Sequence, residues 1–490
     1  MTRLSIPLSS LKKFWLYPLV PRLCEKKNVY TKGKTMDLKY LFRPSSMAVI
    51  GVSTTHDSHP ANVIYTKNHL RYPVKTYAVN PKGGQLNREP LYQTLADIEG
   101  DVDMAVIAVR AQFVPQVMEQ CIQKGIKGAV IVSGGFSESG NHTLQQQVIE
   151  IARKASFPFV GPNCLGIYAP DRVDTFFLPG ERIVRPKKGN IGFVSQSGGV
   201  LVDQMVKFAG QGIGISLGVS IGNKAVIREI DMIDWFENDL ETRVIAFYIE
   251  GFERREGREF IRRAQRCSKP IVVLKAGKSP KGMAAVSSHT ASLAGDYRVF
   301  SEIMKQYCVA EADNEYELTS FCEALSCYPK GISGNVGIVS LSGGHGVLAA
   351  DACYIHGMNL PGISAQTVGN IREQLSPEIR AIASLTNPLD LTGSCVDSDI
   401  EASVRHLARD ENIECILALL LPYSPGISAD IGAKLSQVAR NEGKPLIAYV
   451  PHEDKYKIII EGFELNKIPV ASSVEGAVLM AKALKRCRPC

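Results

Sequence analysis

The stretch Gly189-Asn190-Ile191-Gly192-Phe193-Val194-Ser195-Gln196-Ser197-Gly198-Gly199 returns further along the chain as Gly334-Asn335-Val336-Gly337-Ile338-Val339-Ser340-Leu341-Ser342-Gly343-Gly344. Each copy reads as a short apolar strand, a turn of serine and glycine, and then a run with helical character. A strand that leads through a tight turn into a helix is the repeating unit of parallel α/β sheets. The two copies therefore predict two α/β domains of the same class within one chain.

The serine and glycine turn also predicts a chemistry. At such a turn, backbone N–H groups and the helix dipole point toward a bound anion. The candidate phosphate-binding residues are Ser195, Ser197, Gly198, Gly199, Ser342, Gly343 and Gly344. For either copy alone, a packing role for small residues is equally open. The near-identity of the two copies favours a function, such as two binding sites between which a phosphate moves.

The bulk composition limits the classes of function. A chain of 490 residues predicts about three domains, and its formal net charge is +7. Residues 1–35 carry eight basic side chains against the single acid Glu25, so the rest of the chain is neutral. No basic stripe with interleaved aromatic residues remains in the body of the protein, which argues against nucleic-acid binding.

The basic leader is interpreted as an extension ahead of Met36, with an organellar presequence left open. Its apolar stretch Phe14–Val20 is interrupted by Pro18 and is too short to span a bilayer. Twelve cysteines without paired spacing indicate a reducing compartment, and we expect a cytoplasmic protein. Cys487 and Cys490 form one isolated pair, so no metal site is predicted.

From Met47 onward, apolar strands alternate with turns and amphipathic runs, which is typical of doubly wound parallel sheets. We predict a leader at 1–35 and three α/β domains at 36–170, 171–330 and 331–490. The predicted strands are 47–52, 75–79, 104–109, 129–132, 158–160, 191–195, 214–219, 244–249, 271–275, 336–340, 415–420 and 446–450.

The end of the first strand, at Gly51 and Ser53, is where a nucleotide-binding sheet places its phosphate turn. No further glycine follows, so the dinucleotide fingerprint is absent. The second strand ends in Asn80-Pro81-Lys82 instead of the acidic residue that a nicotinamide enzyme uses on the ribose hydroxyls. A lysine there suits a phosphorylated ribose, although a solvated lysine in a turn is equally open.

Between the two copies lies Ser287-Ser288-His289-Thr290, a small-residue loop with one imidazole. A largely neutral histidine can attack an electrophilic phosphorus, and His289 is the candidate nucleophile. Glu250 ends the strand at 244–249, where open α/β sheets place site residues. Its carboxylate could orient the imidazole and stabilise a phosphorylated ring, and a solvated acid is the open alternative.

These motifs together resemble the nucleoside-diphosphate-forming acyl-CoA synthetases, in particular the α subunits of ADP-forming acetyl-CoA synthetases, relatives of succinyl-CoA synthetase. The resemblance covers residues 36–485. The segments that carry it are Leu41-Phe42-Arg43-Pro44-Ser45-Ser46, Val79-Asn80-Pro81-Lys82-Gly83, Gly161-Pro162-Asn163-Cys164-Leu165-Gly166, Ser195-Gln196-Ser197-Gly198, Tyr248-Ile249-Glu250-Gly251, Ser287-Ser288-His289-Thr290 and Asn387-Pro388-Leu389-Asp390.

The resemblance implies a Rossmann-like CoA-binding domain followed by two flavodoxin-like domains, the first of which carries a phosphohistidine at His289. It implies coenzyme A as a substrate, and an ATP-grasp β subunit that binds Mg²⁺ with ADP or ATP. The implied reaction is acyl-CoA + ADP + phosphate ⇌ carboxylic acid + ATP + CoA. The residues implied for CoA are Gly51, Ser53, Asn80, Lys82, Val109 and Asn163, and Ser288 is implied for phosphate.

Three departures accompany the resemblance. His59-Pro60 stands where relatives keep a glycine-bearing loop, His345 stands in the second glycine turn, and Lys278 replaces an arginine. The altered first loop motivates an alternative hypothesis, a catalytically silent CoA-binding regulatory or scaffold protein. A nicotinamide-dependent oxidoreductase is a third hypothesis, which the missing fingerprint and Lys82 disfavour.

Overall fold

The computed structural model describes residues 36–289 and 296–485, and of residues 287–289 it describes the backbone alone. In this part of the chain, strands form sheets of five, seven and five members and one two-stranded hairpin. The three sheets belong to one compact unit. The predicted class, consecutive parallel-sheet α/β domains, is confirmed.

The first sheet is wholly parallel and has the strand order β2-β1-β5-β6-β7. Its strands, with the hairpin β3–β4, are β1 (Ser46–Ile50), β2 (Lys75–Val79), β3 (Gln85–Leu86), β4 (Glu89–Pro90), β5 (Met104–Ile107), β6 (Gly128–Ile131) and β7 (Phe159–Val160). Its helices are α1 (Lys39–Phe42), α2 (Pro60–Arg71), α3 (Val114–Lys124) and α4 (His142–Ala155). Helices α2, α3 and α4 follow β1, β5 and β6, which is the alternation typical of a parallel α/β sheet.

The second sheet has the order β14-β13-β12-β10-β11-β8-β9, and only β8 and β9 run antiparallel to their neighbours. Its strands are β8 (Gly166–Ala169), β9 (Val173–Asp174), β10 (Lys188–Ser195), β11 (Ile215–Ser220), β12 (Val244–Ile249), β13 (Ile271–Lys275) and β14 (Ala310–Ala312). Its helices are α5 (Gly198–Gly210), α6 (Glu229–Asn238), α7 (Glu256–Arg266), α8 (Pro280–His289), α9 (Tyr297–Gln306) and α10 (Glu315–Cys327).

The third sheet is parallel, with the order β16-β15-β17-β18-β19. Its strands are β15 (Val336–Ser340), β16 (Leu389–Asp390), β17 (Cys415–Leu419), β18 (Leu446–Tyr449) and β19 (Val470–Ala471). Its helices are α11 (Gly343–Ile355), α12 (Ala365–Gln374), α13 (Pro377–Ile382), α14 (Asp397–Arg409), α15 (Ile431–Glu442), α16 (Lys457–Glu464) and α17 (Val474–Leu484).

Strands β8 and β9 lie in the second sheet, and β9 also contacts helix α2 of the first sheet. The carboxylate of Asp174 on β9 is fully buried and lies 2.8 Å from Lys67 Nζ of α2 and 2.6 Å from Arg185 Nε. Burial lowers the pKa of Lys67 to about 8, although Asp174 acts in the opposite direction. Because β8 pairs with β11, the second sheet begins before residue 170. The domain divisions after residues 35, 170 and 330 stay predictions.

Among the described residues, no helix has the length and apolar character needed to cross a bilayer. The same part of the chain contains no cluster of three or more side chains suited to a metal ion. The basic leader 1–35 and the pair Cys487 and Cys490 lie outside the described residues.

Two equivalent glycines of the repeat serve packing. A Cβ at Gly192 of β10 would lie 2.4 Å from a ring carbon of Phe236, which is fully buried. A Cβ at Gly337 of β15 would lie 3.0 Å from a methyl group of Ile413. In both copies the missing side chain leaves room for an apolar neighbour, and the fit is tighter in the first.

We expect Gly192→Ala to lower the free energy of unfolding by about 2–3 kcal/mol, because the buried Phe236 ring cannot retreat without disturbing its neighbours. The matched change Gly337→Ala should cost less than ~1 kcal/mol, since a methyl group can shift by a few tenths of an ångström. Chemical denaturation of both variants measures the difference. Equal losses would contradict this account of the packing.

An acidic side chain is buried where the second and third sheets meet. Glu323 of α10 accepts a hydrogen bond from Val470 N of β19 at 3.0 Å, and its other oxygen is buried without a hydrogen-bond partner among the described residues. Burial, reinforced by the charge of Glu464, raises the pKa of Glu323 to about 8. The folded protein therefore favours the neutral acid.

Because this pKa is about 8 in the folded chain and near 4.5 in the unfolded one, Glu323 contributes stability that is lost as the pH rises from 4.5 toward 8. We expect Glu323→Gln to unfold at nearly the wild-type temperature at pH 5. At pH 8 it should be more stable than wild type by on the order of a few kcal/mol. Thermal unfolding across this range tests the prediction, which a pH-independent difference would contradict.

Candidate active site

The first serine and glycine turn is built by its own hydroxyl groups. Ser195 Oγ donates to the carbonyl of Ser197 at 2.6 Å and accepts from Ser197 N at 3.1 Å. Ser197 is the N-cap of α5, and its Oγ accepts from Val200 N at 3.4 Å. Ser195 is fully buried, so its hydroxyl supports the turn, and a direct phosphate contact by Ser195 stays a prediction.

The second turn has the same internal bonds in different surroundings. Ser340 Oγ donates to the carbonyl of Ser342 at 2.6 Å and accepts from Ser342 N at 3.2 Å. Asp390 lies beside the start of α11, with a carboxylate oxygen 3.0 Å from where a Cβ at Gly343 would be. The ring of His345 packs 5.7 Å from that of Tyr449. A phosphate at this turn would thus meet a carboxylate.

The second glycine at each helix start, Gly199 or Gly344, is not required by packing. A Cβ at Gly199 would have the Ser197 hydroxyl, 4.0 Å away, as its nearest neighbour, and one at Gly344 would have the Ser342 hydroxyl at 3.7 Å. Side chains would therefore fit at both positions. Glycine there leaves the N-terminus of the helix uncovered, which favours a ligand-binding role over a packing role.

A cavity of about 630 Å³ lies in front of the first turn. It is lined from the first sheet's loops by Asn163 and Leu165 and from α5 by Ser197, Gly198 and Gly199. The structure thus brings together one predicted CoA residue and three predicted phosphate-binding residues. The predicted residues Ser342, Gly343 and Gly344 do not line this cavity.

The remaining predicted CoA residues lie along the carboxyl edge of the first sheet. Gly51 has a φ of +101°, and a Cβ there would lie 2.5 Å from the carbonyl oxygen of Ala108. The close approach of these two backbone segments therefore requires glycine. Asn80 Nδ2 donates to Val52 O at 2.5 Å, and its Oδ1 accepts from Lys82 N at 2.8 Å. These bonds place the exposed Lys82 at this edge.

Ser133 extends the same edge toward the cavity. Its hydroxyl donates to the carbonyl of Val109 at 2.6 Å, and its own carbonyl accepts from Asn163 N at 2.9 Å. Asn163 has a φ of +54° and donates through Nδ2 to Asn223 Oδ1 at 3.3 Å. Val109 and Asn163 are therefore connected through Ser133, a residue that the sequence did not identify.

Hydrogen bonds hold the altered first loop, at His59-Pro60, in place. His59 is the N-cap of α2, where its Nδ1 accepts from Ala61 N at 3.3 Å, and Pro60 begins the helix. The buried Asn62 accepts from Ser53 N at 2.6 Å and donates to Ser53 O at 2.7 Å. His59 thus caps α2 in this loop. Asn62 is a second residue that sequence reasoning missed.

Glu250 is buried just beyond β12. Its N–H donates to Gln196 Oε1 at 2.7 Å, and its carbonyl accepts from Lys275 Nζ at 2.7 Å. Burial and the neighbouring Glu250 raise the pKa of Tyr248 to about 12. The alternative of a solvated acid is therefore wrong. Gln196 and Lys275 were both missed, although a polar residue between two serines and a lysine ending an apolar strand were available signals.

His289 is the last residue of α8, a helix that starts beyond the carboxyl end of β13. Near the start of this helix, Gly277 has a φ of +76°, and a Cβ there would lie 3.5 Å from Val286. Helix α8 thus begins at the sheet edge that carries Glu250. The side chains of Ser288 and His289 lie outside the described residues. Lys278, the third departure, pairs with Asp313 at 3.1 Å.

Two family models match the chain. A CoA binding domain matches residues 45–170, and a succinyl-CoA ligase like flavodoxin domain matches residues 188–325. The first match contains the edge with Gly51 and Asn163. The second contains the turn at Ser195, Glu250 and helix α8.

Named relatives match over most of the chain. The ADP-forming acetate–CoA ligase I subunit alpha of Pyrococcus furiosus is 34% identical over 92% of this chain and 97% of its own length. The ADP-forming acetate–CoA ligase I of Archaeoglobus fulgidus is 37% identical over 79% of this chain, and the match covers 55% of that protein. The chain thus spans about half the length of some relatives and nearly the whole of others.

A solved structure agrees with these matches. The dinucleotide forming acetyl-coenzyme A synthetase 1 of Ca. Korarchaeum cryptofilum, in complex with phosphate and ADP, has a TM-score of 0.82 and 29% identity. The match covers 91% of this chain and 96% of that one. With the full-length match to a subunit alpha, these findings show that the chain belongs to the family of the ADP-forming acetate–CoA ligases.

Proposed function

We propose that this chain is the α subunit of an ADP-forming acyl-CoA synthetase that acts on acetyl-CoA or a related acyl-CoA. The observation that carries the proposal is the 34% identity to a subunit alpha over 92% of this chain and 97% of that relative. The cavity at Ser197–Gly199, which joins a CoA binding domain to a succinyl-CoA ligase like domain, supports it. The reaction is acyl-CoA + ADP + phosphate ⇌ carboxylic acid + ATP + CoA.

The proposed reaction proceeds in three balanced steps. A phosphate oxygen attacks the thioester carbon, and the carbon–sulfur bond breaks to release CoA and leave an acyl phosphate. A nitrogen of His289 then takes the phosphoryl group, and the carboxylate leaves. In the last step ADP attacks the phosphohistidine, which forms ATP and restores the imidazole.

The residues at the second sheet's edge have distinct tasks in this proposal. The uncovered N-terminus of α5, at Gly198 and Gly199, stabilises the negative charge of phosphate. Ser288 contributes a further phosphate contact. The Glu250 carboxylate holds the imidazole N–H of His289 and stabilises positive charge on the phosphorylated ring. The turn at Ser342–Gly344 belongs to a second station for the phosphoryl group.

Coenzyme A is the substrate proposed for the first sheet's edge. Coenzyme A lies against Gly51, Ser53 and Asn80, and Lys82 contacts its phosphorylated ribose. Val109 and Asn163 lead from this edge to the cavity at α5. The catalytically silent alternative is not favoured, since the loop at His59 is fully capped and the relatives are named as ligases.

The nucleotide step is proposed to need a second polypeptide. The Pyrococcus furiosus relative is named as a subunit alpha, which implies a separate subunit in that protein. We assign an ATP-grasp β subunit that binds Mg²⁺ with ADP or ATP, which gives a hetero-oligomer. The cytoplasm is the proposed location.

Acetyl-CoA and radiolabelled phosphate should label the full-length protein with a phosphate that is labile in acid and stable in base. We expect His289→Ala to lower this label more than about 100-fold, because no other group replaces the nucleophile. His142→Ala, a change on the exposed face of α4, is the matched control and should keep the label. Full labelling of His289→Ala would refute the assignment.

Lys82→Ala should weaken CoA binding about 2- to 5-fold, since one exposed ion pair with the 3′-phosphate is lost. Binding of dephospho-CoA, which lacks that phosphate, should not change. Lys75→Ala, at the opposite end of the same strand, is the control. Isothermal titration calorimetry measures these affinities, and an equal loss for both ligands would contradict the ribose-phosphate contact.

A further inference from the structure

One buried side chain connects the first turn to Glu250. Gln196 lies between Ser195 and Ser197, contributes to the lining of the cavity at this turn, and has a buried side chain that contacts the Glu250 segment. Gln196 Oε1 accepts from Glu250 N at 2.7 Å and from Gly251 N at 3.1 Å. Gln196 Nε2 donates to Gly251 O at 2.9 Å and to the carboxylate of Glu229. The side-chain amide of Gln196 thus bonds the Glu250-Gly251 segment through its oxygen and through its nitrogen.

Two buried lysines hold the same segment from other directions. Lys275 Nζ donates to Glu250 O at 2.7 Å. Lys224 Nζ donates to Gly251 O at 2.8 Å and to Glu256 Oε2 at 2.9 Å. Both lysines are about 95% buried. The backbone that carries the Glu250 side chain is therefore fixed at successive peptide groups.

The repeat itself supplies an internal comparison. In the second copy Leu341 occupies the position of Gln196, and it is fully buried in an apolar cluster. The serine bonds on either side are nevertheless the same, at 2.6 Å for both hydroxyl-to-carbonyl contacts. The turn thus forms with glutamine or with leucine in its middle. Gln196 is not needed to build the turn and has a different task.

We propose that Gln196 is a positioning residue for phosphoryl transfer, which acts through Glu250. Its hydrogen bonds hold the turn at residues 195–199 and the Glu250-Gly251 segment together. A phosphate at the N-terminus of α5 and the Glu250 side chain therefore keep a fixed spacing. This inference rests on the proposed function. The physical basis is that directed hydrogen bonds to two consecutive N–H groups leave the peptide plane of Glu250 little freedom to rotate.

The test uses Gln196→Leu, which copies the second turn into the first. The rate constant for labelling by acetyl-CoA and radiolabelled phosphate is measured in single turnover, in the wild-type and the Glu250→Gln background. We expect Gln196→Leu to slow labelling about 10-fold or more in the wild-type background and less than about 2-fold in the Glu250→Gln background, because residues that act as a unit are not additive.

Gln204→Leu is the matched control. Gln204 is equally buried, on α5, and bonds Thr319 instead of the Glu250 segment. It should label at the wild-type rate. If Gln196→Leu does not fold, as thermal unfolding would reveal, Lys275→Met removes the contact with Glu250 O without touching the turn and should show the same dependence on the Glu250 background.

The outcomes separate this inference from the proposed function. Absence of label on the wild-type protein would overturn both. With a labelled wild type, the positioning role is refuted by wild-type rates in Gln196→Leu, by equal slowing in both backgrounds, or by an unimpaired Glu250→Gln. The first two results leave the proposed function standing, and the third also refutes the task proposed for Glu250 while leaving the reaction and the role of His289 standing.

Discussion

The candidate site depends on the parallel register of β10 with its two neighbours. Ser195 of β10 is paired with Ser220 of β11 and with Tyr248 of β12. Because all three strands run in the same direction, their carboxyl ends meet at one edge. The turn after Ser195 and the Glu250 segment after β12 are neighbours for this reason. Had one strand run the other way, the two groups would lie at opposite ends of the sheet.

The sequence predicted the features that depend on residues close together in the chain. The long apolar strands were located within a few residues, because a buried parallel strand is a continuous apolar run. Strands β3, β4, β8, β9, β14, β16 and β19 were missed, and all of them except the four-residue β8 have only two or three residues, which carry no periodicity. At the site, the turn and Glu250 were identified from their place at strand ends. The partner of Glu250 was not, because Gln196 lies 54 positions away in the chain and only the sheet register brings them together.

The two copies of the repeat show how similar segments acquire different tasks. Gly192 and Gly337 make room for neighbouring side chains, whereas Gly199 and Gly344 border open space. Packing therefore accounts for Gly192 and Gly337 but not for Gly199 and Gly344, where ligand binding stays a prediction. The surroundings then differ, since the first turn opens into a cavity and the second meets Asp390. What the repeat conserves is the backbone, and what distinguishes the copies is the residue between the serines.

Strands β8 and β9 give the chain's division into domains a physical meaning. They follow the first sheet in sequence, yet they cover the edge of β11 and anchor on α2 through Asp174. The CoA binding match ends at residue 170 and the flavodoxin match starts at 188, so a boundary between them separates β9 from both. A first fragment that ends at residue 170 keeps all five strands of its own sheet, whereas a second fragment that starts at residue 188 loses β8 and β9 and exposes unpaired backbone groups of β11 that favour aggregation. Residues 166–174 therefore belong with the second sheet, although the CoA binding match extends to residue 170.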